Sequence, residues 1–257
     1  MGVLTKEEML ANCKKTANIK TGDRITAVYY GPAGSGKTSM AGTNESPIWF
    51  ANFDPAGMDT LRGMENVYFN NFYDMDAAHP KGMQGFFDFV NTGMHNDFFT
   101  QFKTVVLDPL TGFEEAAMNW VLHKEKKVGE TPSLPNYATV TRLTWRAVKM
   151  MLAIECCNVV ITCHEKPEKC ELTGRVRIYP LIYGRSSNEI FRLFSEAYHL
   201  DGSGSGKTRY RAQIKSDKLY TSKSRLDKKG SILDAFENPN QMEIVKKVKD
   251  KEPKKLV

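Results

Sequence analysis

The pentapeptide Gly-Ser-Gly-Lys-Thr occurs twice in this chain of 257 residues, at residues 34–38 and 204–208. The first copy completes the pattern G-x-x-x-x-G-K-[ST], whose backbone N–H groups surround nucleotide phosphates. Within it, Lys37 is expected to reach the β- and γ-phosphates, and the Thr38 hydroxyl is expected to bind Mg²⁺. The residues predicted to contact the nucleotide are Gly31, Pro32, Ala33, Gly34, Ser35, Gly36, Lys37, Thr38 and Ser39.

The residues on either side of the first copy favour the same chemistry. Residues 25–30 are β-branched and aromatic, which predicts a buried strand, and the residues after Gly36 can begin a helix. A helix that begins directly after the loop points its free N–H groups at a bound phosphate. The first copy is therefore predicted to bind a magnesium nucleotide.

The second copy has different neighbours. Asp201 stands where the first copy has Gly31, and residues 209–215 alternate strictly between polar and apolar side chains. This alternation is typical of a strand and not of a helix start. We therefore predict that the second copy is a hairpin connection between two antiparallel strands.

Acidic and polar side chains follow three further predicted strands, at residues 48–53, 104–107 and 158–163. Asp108 is expected to hold Mg²⁺, often through water, although it could also be a turn residue before proline. Asp54 could orient the attacking water, or it could simply start an Asp-Pro turn. His164 could sense the γ-phosphate, or it could be an ordinary buried histidine.

The predicted strands alternate with helical stretches, of which residues 137–157 are the clearest. This order predicts an α/β fold with a mostly parallel twisted sheet, helices on both faces and a late antiparallel hairpin. The aromatic clusters at residues 68–73, 86–89 and 98–102 could stack on bases, but core packing is the simpler role.

Positive charge is concentrated at the carboxyl end, where residues 201–257 contain 15 Lys and Arg and 8 Asp and Glu. Such an imbalance favours a polyanionic partner, and its simpler interpretation is a solvated lysine-rich tail. No secretion signal is recognisable, and no apolar run approaches the ~18 residues of a membrane span. A cytoplasmic protein without a membrane partner is therefore expected.

Taken together, the phosphate loop, Asp54, Asp108, His164 and a late Lys-x-Arg resemble the RecA-like ATPases. The resemblance is greatest to the small phage-encoded ATPases of recombination and single-strand annealing, which consist of the RecA-like core alone. The expected organisation is an N-terminal helical segment at residues 1–20, a RecA-like core at 21–235 and a basic C-terminal tail at 236–257.

The resemblance implies a slow, DNA-stimulated ATPase that uses ATP and Mg²⁺. Asp54 matches the catalytic acid, which is usually Glu in the family, and Lys37, Asp108 and His164 complete the implied catalytic set. The partners implied are single-stranded DNA, further copies of the chain in a filament or ring, and a single-strand-binding protein. The implied location is the cytosol of a phage host. Lys223 and Arg225 would reach the nucleotide of a neighbouring subunit. Residues 165–184 would form the DNA-binding loop. DNA phosphates would be contacted by Lys166, Lys169, Arg175 and Arg177 of this loop and by Arg209, Arg211 and Lys215 of the late hairpin.

Other functions remain open on the same core. A helicase-type motor usually carries an extra domain, and a loader of the AAA+ type needs a helical lid after the core. A small-molecule kinase would need an arginine-rich lid and an acceptor pocket, and its turnover would ignore DNA. A structural subunit could also bind nucleotide, coat DNA and hardly hydrolyse ATP.

Overall fold

The computed structural model describes residues 24–169, 171, 174–184, 186–202, 210–227 and 235–251, the last four of these by their backbone alone. The predicted N-terminal helical segment at residues 1–20 lies outside the described residues. The second copy of the pentapeptide, together with Arg209, also lies outside them.

Within the described residues, nine strands form one sheet and two further strands form a separate hairpin. In chain order the strands are β1 (Thr26–Tyr30), β2 (Ile48–Asn52), β3 (Val67–Asn71), β4 (Thr104–Asp108), β5 (Asn158–Cys163), β6 (Glu165–Lys169), β7 (Val176–Pro180), β8 (Glu196–Asp201), β9 (Arg211–Gln213), β10 (Lys223–Ser224) and β11 (Ala235–Glu237).

Helices connect the strands on both sides of the sheet. The α-helices are α1 (Lys37–Gly42), α2 (Gly82–His95), α3 (Leu110–Lys124), α4 (Leu134–Leu152), α5 (Ser186–Glu189) and α6 (Gln241–Lys251). Short 3₁₀ helices occupy Gly57–Leu61, Phe98–Gln101 and Ile190–Leu193. None of the helices described is long and apolar enough to cross a membrane.

The sheet has the order β11-β9-β8-β1-β5-β4-β2-β3, with β10 also paired to β8. Strands β8, β1, β5, β4, β2 and β3 run parallel. Strands β9, β10 and β11 add antiparallel pairs at the carboxyl end of the chain. The predicted fold class is therefore confirmed, including the late antiparallel hairpin.

Two apolar cores cover the two faces of the sheet, because successive residues of a strand point to opposite faces. Val28 and Tyr30 of β1 face one core, whereas Ala27 and Tyr29 face the other. Every residue of β2, β4 and β5 is buried, as expected for strands covered on both faces. Most aromatic residues of the three aromatic clusters lie in the first core or pack against it, which supports core packing as their role.

The longest helix, α4, begins and ends earlier than its apolar pattern predicted. Its start is fixed by Ser133, whose side chain and N–H both bond to the Asn136 side chain at 2.6 and 2.7 Å. Its end is fixed by Arg24, whose guanidinium donates to the carbonyl oxygens of Leu152, Ile154 and Cys157. These partners satisfy backbone groups that a helix end otherwise leaves free.

The segment expected to be a basic tail contributes structure to the sheet. Strand β11 pairs with β9, and helix α6 buries Ile244 and Val245 against the second core. The Gln241 Oε1 atom accepts a hydrogen bond of 2.9 Å from the Tyr29 hydroxyl. The segment from 235 to 247 is therefore packed on the sheet and does not extend as a solvated tail.

Candidate nucleotide-binding site

Four neighbouring strands place the predicted catalytic residues at one edge of the sheet. The phosphate loop follows β1, His164 follows β5, Asp108 ends β4, and Asp54 lies two residues after β2. Because these strands are parallel neighbours, their carboxyl ends meet at the same edge. Such an edge is the usual ligand site of an open α/β sheet.

The phosphate loop needs glycine at three positions for two different reasons. Gly34 and Gly36 have φ angles of +75° and +83°, a region that other residues rarely adopt. At Gly31 a Cβ atom would lie 2.1 Å from the carbonyl oxygen of Leu200. The end of strand β8 therefore passes too close for any side chain at that position.

The Lys37 ammonium lies inside the loop and is almost fully buried. Its Nζ atom donates hydrogen bonds to the carbonyl oxygens of Gly31 and Pro32, at 3.0 and 2.7 Å. Burial lowers its pKa, while the nearby carboxylates of Asp108 and Asp54 oppose that effect. Charged phosphate oxygens would be stronger acceptors for this ammonium than the two neutral carbonyls.

Asp108 lies beneath the loop, with 2% of its surface exposed. Its Oδ1 atom accepts a hydrogen bond from the Thr162 hydroxyl, and its Oδ2 atom is buried without a hydrogen-bond partner among the described residues. Burial raises the pKa of this carboxyl, and the Thr162 and Thr38 hydroxyls and the Lys37 charge counteract that rise.

These groups fit a magnesium ion. Mg²⁺ prefers oxygen ligands and is usually held by one or two protein groups together with substrate phosphates and water. The unpartnered Oδ2 of Asp108 and the Thr38 hydroxyl supply oxygens of this kind beside the loop. A divalent cation would also remove the cost of a buried carboxylate oxygen without a partner.

One cavity of about 210 Å³ brings the predicted residues together. Its walls include Lys37, Thr38, Asp54, Asp108 and His164. The cavity therefore brings Lys37 and His164, which are 127 positions apart in the sequence, into one site.

Asp54 both lines this cavity and starts a turn, so both of its predicted roles have a structural basis. Its Oδ1 atom accepts a hydrogen bond of 3.0 Å from the Ala56 N–H, ahead of the 3₁₀ helix at Gly57–Leu61. His164 is half-buried, and burial together with the Lys37 charge lowers its pKa. Both effects favour the neutral imidazole, and the Asp54 charge opposes them.

Sequence reasoning missed Tyr210 as a residue of this site. Its ring lines the cavity, and a Cβ atom on Gly36 would lie 2.9 Å from it. A Cβ atom on Gly202 would lie 2.9 Å from the Gly34 carbonyl oxygen. The two described residues that flank the second copy therefore lie against the first copy. Strand alternation had placed Tyr210 only on an apolar face and gave no sign of this contact.

A comparison with protein families matches residues 23–226 to a family described as an AAA domain. This chain belongs to that family. The match covers most of the chain, including the phosphate loop, Asp54, Asp108, His164 and the Lys-x-Arg. The protein is therefore an AAA-type P-loop ATPase by family. No curated protein matches it.

Solved structures similar to this AAA domain are distant. An ATPase of the type III secretion system of pathogenic bacteria has 12% sequence identity and a TM-score of 0.45, over 69% of this chain and 51% of that one. This chain thus spans about half the length of that relative. The RadB recombinase has 12% identity and a TM-score of 0.38, over 73% of this chain and 79% of that one. A KaiC-like protein of Pyrococcus horikoshii has 12% identity and a TM-score of 0.37, over 73% of this chain and 76% of that one.

In the AAA domain, the segment predicted to be a DNA-binding loop is the hairpin of β6 and β7. It begins at Glu165, directly after His164. Lys169, Arg175 and Arg177 are exposed on it. Lys166 is half-buried and donates to the Ile182 carbonyl oxygen at 3.0 Å. Three of the four predicted cations of this hairpin therefore face solvent.

The base of this hairpin is tied to the sheet at its first residue. The Glu165 carboxylate lies 2.7 Å from Nε2 of His199 on β8, and the His199 ring stacks on Tyr220 at 3.8 Å. Of the other predicted DNA contacts, Arg211 is exposed on β9 and Lys215 is half-buried.

The predicted trans-acting pair, Lys223 and Arg225, lies near the start of β8. Lys223 on β10 pairs with Ala197 near the start of β8, whereas the loop adjoins the end of that strand. The Lys223 ammonium donates to the carbonyl oxygens of Phe191 and Phe194, at 2.8 and 2.6 Å, and Arg225 is exposed. The Lys223 ammonium is therefore bonded to its own chain near the start of β8, and Arg225 faces solvent.

Proposed function

We propose that this AAA domain binds ATP with Mg²⁺ and hydrolyses it. The observation that carries the proposal is the single cavity that gathers Lys37, Thr38, Asp54, Asp108 and His164. A P-loop lysine, a hydroxyl, a buried strand-end aspartate and a second acid are the parts that phosphoryl transfer to water requires.

Each residue has a distinct task in this proposal. The loop N–H groups and Lys37 hold the phosphates, and Thr38 and Asp108 hold the metal ion. When bound, Mg²⁺ would neutralise charge on the β- and γ-phosphate oxygens. Asp54 accepts a hydrogen bond from the water that attacks the γ-phosphorus, as the bond to the bridging oxygen breaks. His164 links this centre to the hairpin that follows it.

We further propose that single-stranded DNA binds the β6–β7 hairpin and stimulates hydrolysis, in phage recombination or repair by strand annealing or exchange. The exposed cations of the hairpin and its direct connection to His164 support this coupling. The exposure of Arg225, near the end of β8 that is farther from the phosphate loop, supports a homo-oligomer, in a filament or ring, in which it meets a neighbouring subunit's nucleotide. A single-strand-binding protein and a cytosolic location complete the proposal.

The deciding experiment is steady-state ATP hydrolysis with and without oligo(dT). We expect DNA to stimulate the wild type and Lys37→Ala to lower turnover at least about 100-fold, because it removes a charge aimed at the phosphates. Lys207→Ala makes the same change in the second pentapeptide and should leave turnover within about twofold.

Two outcomes would contradict the proposal. If Lys37→Ala keeps normal turnover, the cavity is not the hydrolytic site. If DNA leaves the wild-type rate unchanged over a range of salt concentrations, the coupling to DNA is wrong, and small acceptors should be screened for kinase activity.

A further inference from the structure

We propose that a groove on the helical face of the domain is a second contact surface for single-stranded DNA. This inference rests on the proposed DNA binding and adds a surface that is separate from the β6–β7 hairpin. The groove has a volume of about 870 Å³ and lies between α2, α4 and the 3₁₀ helix at Ile190–Leu193. The lining residues used in the argument are Arg142, Trp145, Arg146, Lys149, Glu189 and Arg192.

Helix α4 places an aromatic ring and three cations along one wall. Arg142, Trp145, Arg146 and Lys149 follow the spacing i, i+3, i+4 and i+7, which brings side chains to one helix face. The three cations are exposed, and Trp145 is half-buried between them. Arg192 is exposed on the opposite wall. The groove is therefore lined with positive charge on both sides.

This charge is not neutralised within the described part of the chain. Glu189 is the single carboxylate among the lining residues, and it lies 3.4 Å from Arg192 in a largely exposed pair. Exposed pairs of this kind contribute little. No ion pair with Arg142, Arg146 or Lys149 occurs among the described residues. Like charges three or four residues apart on a helix repel each other, so this arrangement of cations does not stabilise the fold.

The Trp145 ring is held in a fixed orientation. Its Nε1–H donates to the Ser186 hydroxyl at 2.8 Å, and the Arg192 guanidinium lies 5.8 Å from the ring centre. The guanidinium of Arg146 lies 4.4 Å from the Phe87 ring, which fixes this cation as well. A fixed aromatic ring beside cations is the combination that binds bases and phosphates of a single strand.

The dimensions favour a strand over a small anion. Seven helical residues separate Arg142 from Lys149, which corresponds to about 10 Å along the axis. That length covers about two or three phosphates at the spacing of a nucleic-acid strand. An acidic peptide would also meet the cations, but it offers no base to stack on Trp145.

The test is fluorescence anisotropy with labelled oligo(dT) at several salt concentrations. The groove variant Arg142→Glu with Lys149→Glu should bind oligo(dT) at least about tenfold more weakly at low salt. A plot of the logarithm of the association constant against the logarithm of the salt concentration should have a slope smaller in magnitude by about 1.4. The control, Lys124→Glu with Lys126→Glu, makes the same charge change at the end of α3 and in the turn that follows it, and should lose less than about threefold in affinity. Trp145→Phe should weaken binding at least about fivefold.

The outcomes separate this inference from the proposed function. If wild-type protein does not bind oligo(dT), the DNA part of the proposed function fails and the groove proposal fails with it. If it binds and the groove variant matches the wild type or the control, the groove proposal alone is overturned. It is also overturned if the groove variant loses binding to polyglutamate but not to oligo(dT), because the groove would then dock an acidic protein.

Discussion

Asp54 combines a structural bond and a predicted chemical task in one side chain. Its Oδ1 atom caps the turn at Ala56, while the carboxylate faces the cavity with Lys37 and His164. The two roles separate on substitution, because Asn keeps an oxygen that can accept the Ala56 N–H but lacks the charge of a base.

We therefore expect Asp54→Asn to lower kcat at least about 100-fold with little change in stability. Asp54→Ala should lower kcat equally and also cost about 1 kcal/mol of the free energy of unfolding, through the lost cap. Hydrolysis assays and urea unfolding of both variants check this. Normal turnover in Asp54→Asn would leave Asp54 as a turn residue only.

At the scale of the elements, Glu114 connects the end of the β6–β7 hairpin to helices α3 and α4. Its carboxylate accepts from the Tyr183 N–H at 3.2 and 3.3 Å and from the Thr144 hydroxyl at 3.0 Å. Burial raises its pKa to about 7, against the smaller opposing effects of these hydrogen bonds and of Lys166. The folded protein therefore binds this proton more tightly than the unfolded chain does.

The sign of the resulting pH dependence follows from this shift. Stability from this group is present in full below the unfolded pKa of 4.5 and is lost as the pH rises towards about 7. Glu114→Gln keeps an acceptor and cannot ionise, so its free energy of unfolding relative to wild type should rise by up to about 3 kcal/mol between pH 5 and pH 8, and its melting temperature should rise with it. Thermal unfolding across this range checks it. Parallel pH profiles for the two proteins would show that Glu114 is not the responsible group.

The sequence predicted those elements whose side chains repeat regularly. Strands β1, β2, β4 and β5 were recognisable because they are continuously apolar, and the phosphate loop because its spacing is specific. The β6–β7 hairpin was expected only as a DNA-binding loop, because the resemblance gave no strands there and the first strand is polar and contains Pro167. The end of α4 depends on Arg24, which is 128 residues from Leu152 in the sequence. Contacts of that separation leave no local pattern.

For the whole molecule, the sheet edge that holds the nucleotide cavity and the segment that carries Lys223 and Arg225 lie at opposite ends of β8. A head-to-tail assembly would bring the second region of one subunit to the cavity of the next. The Lys223 ammonium already bonds two carbonyl groups of its own chain, so Arg225, which is exposed, is the better placed of the two for such a contact. Sequence resemblance suggested this pair, and the topology places it near the start of β8, away from the phosphate loop at the end of that strand.

Mixing two inactive variants tests the assembly. Lys37→Ala should remove the phosphate contact of a subunit's own site, and Arg225→Ala should remove the cation that the subunit gives to its neighbour. A mixed oligomer contains junctions where an intact Lys37 meets an intact Arg225, so equal amounts should recover about a quarter of the wild-type rate. The control mixes Lys37→Ala with the double variant Lys37→Ala, Arg225→Ala, which has no intact site and should stay inactive. A mixture no more active than its two components would mean that Arg225 acts on no neighbouring nucleotide.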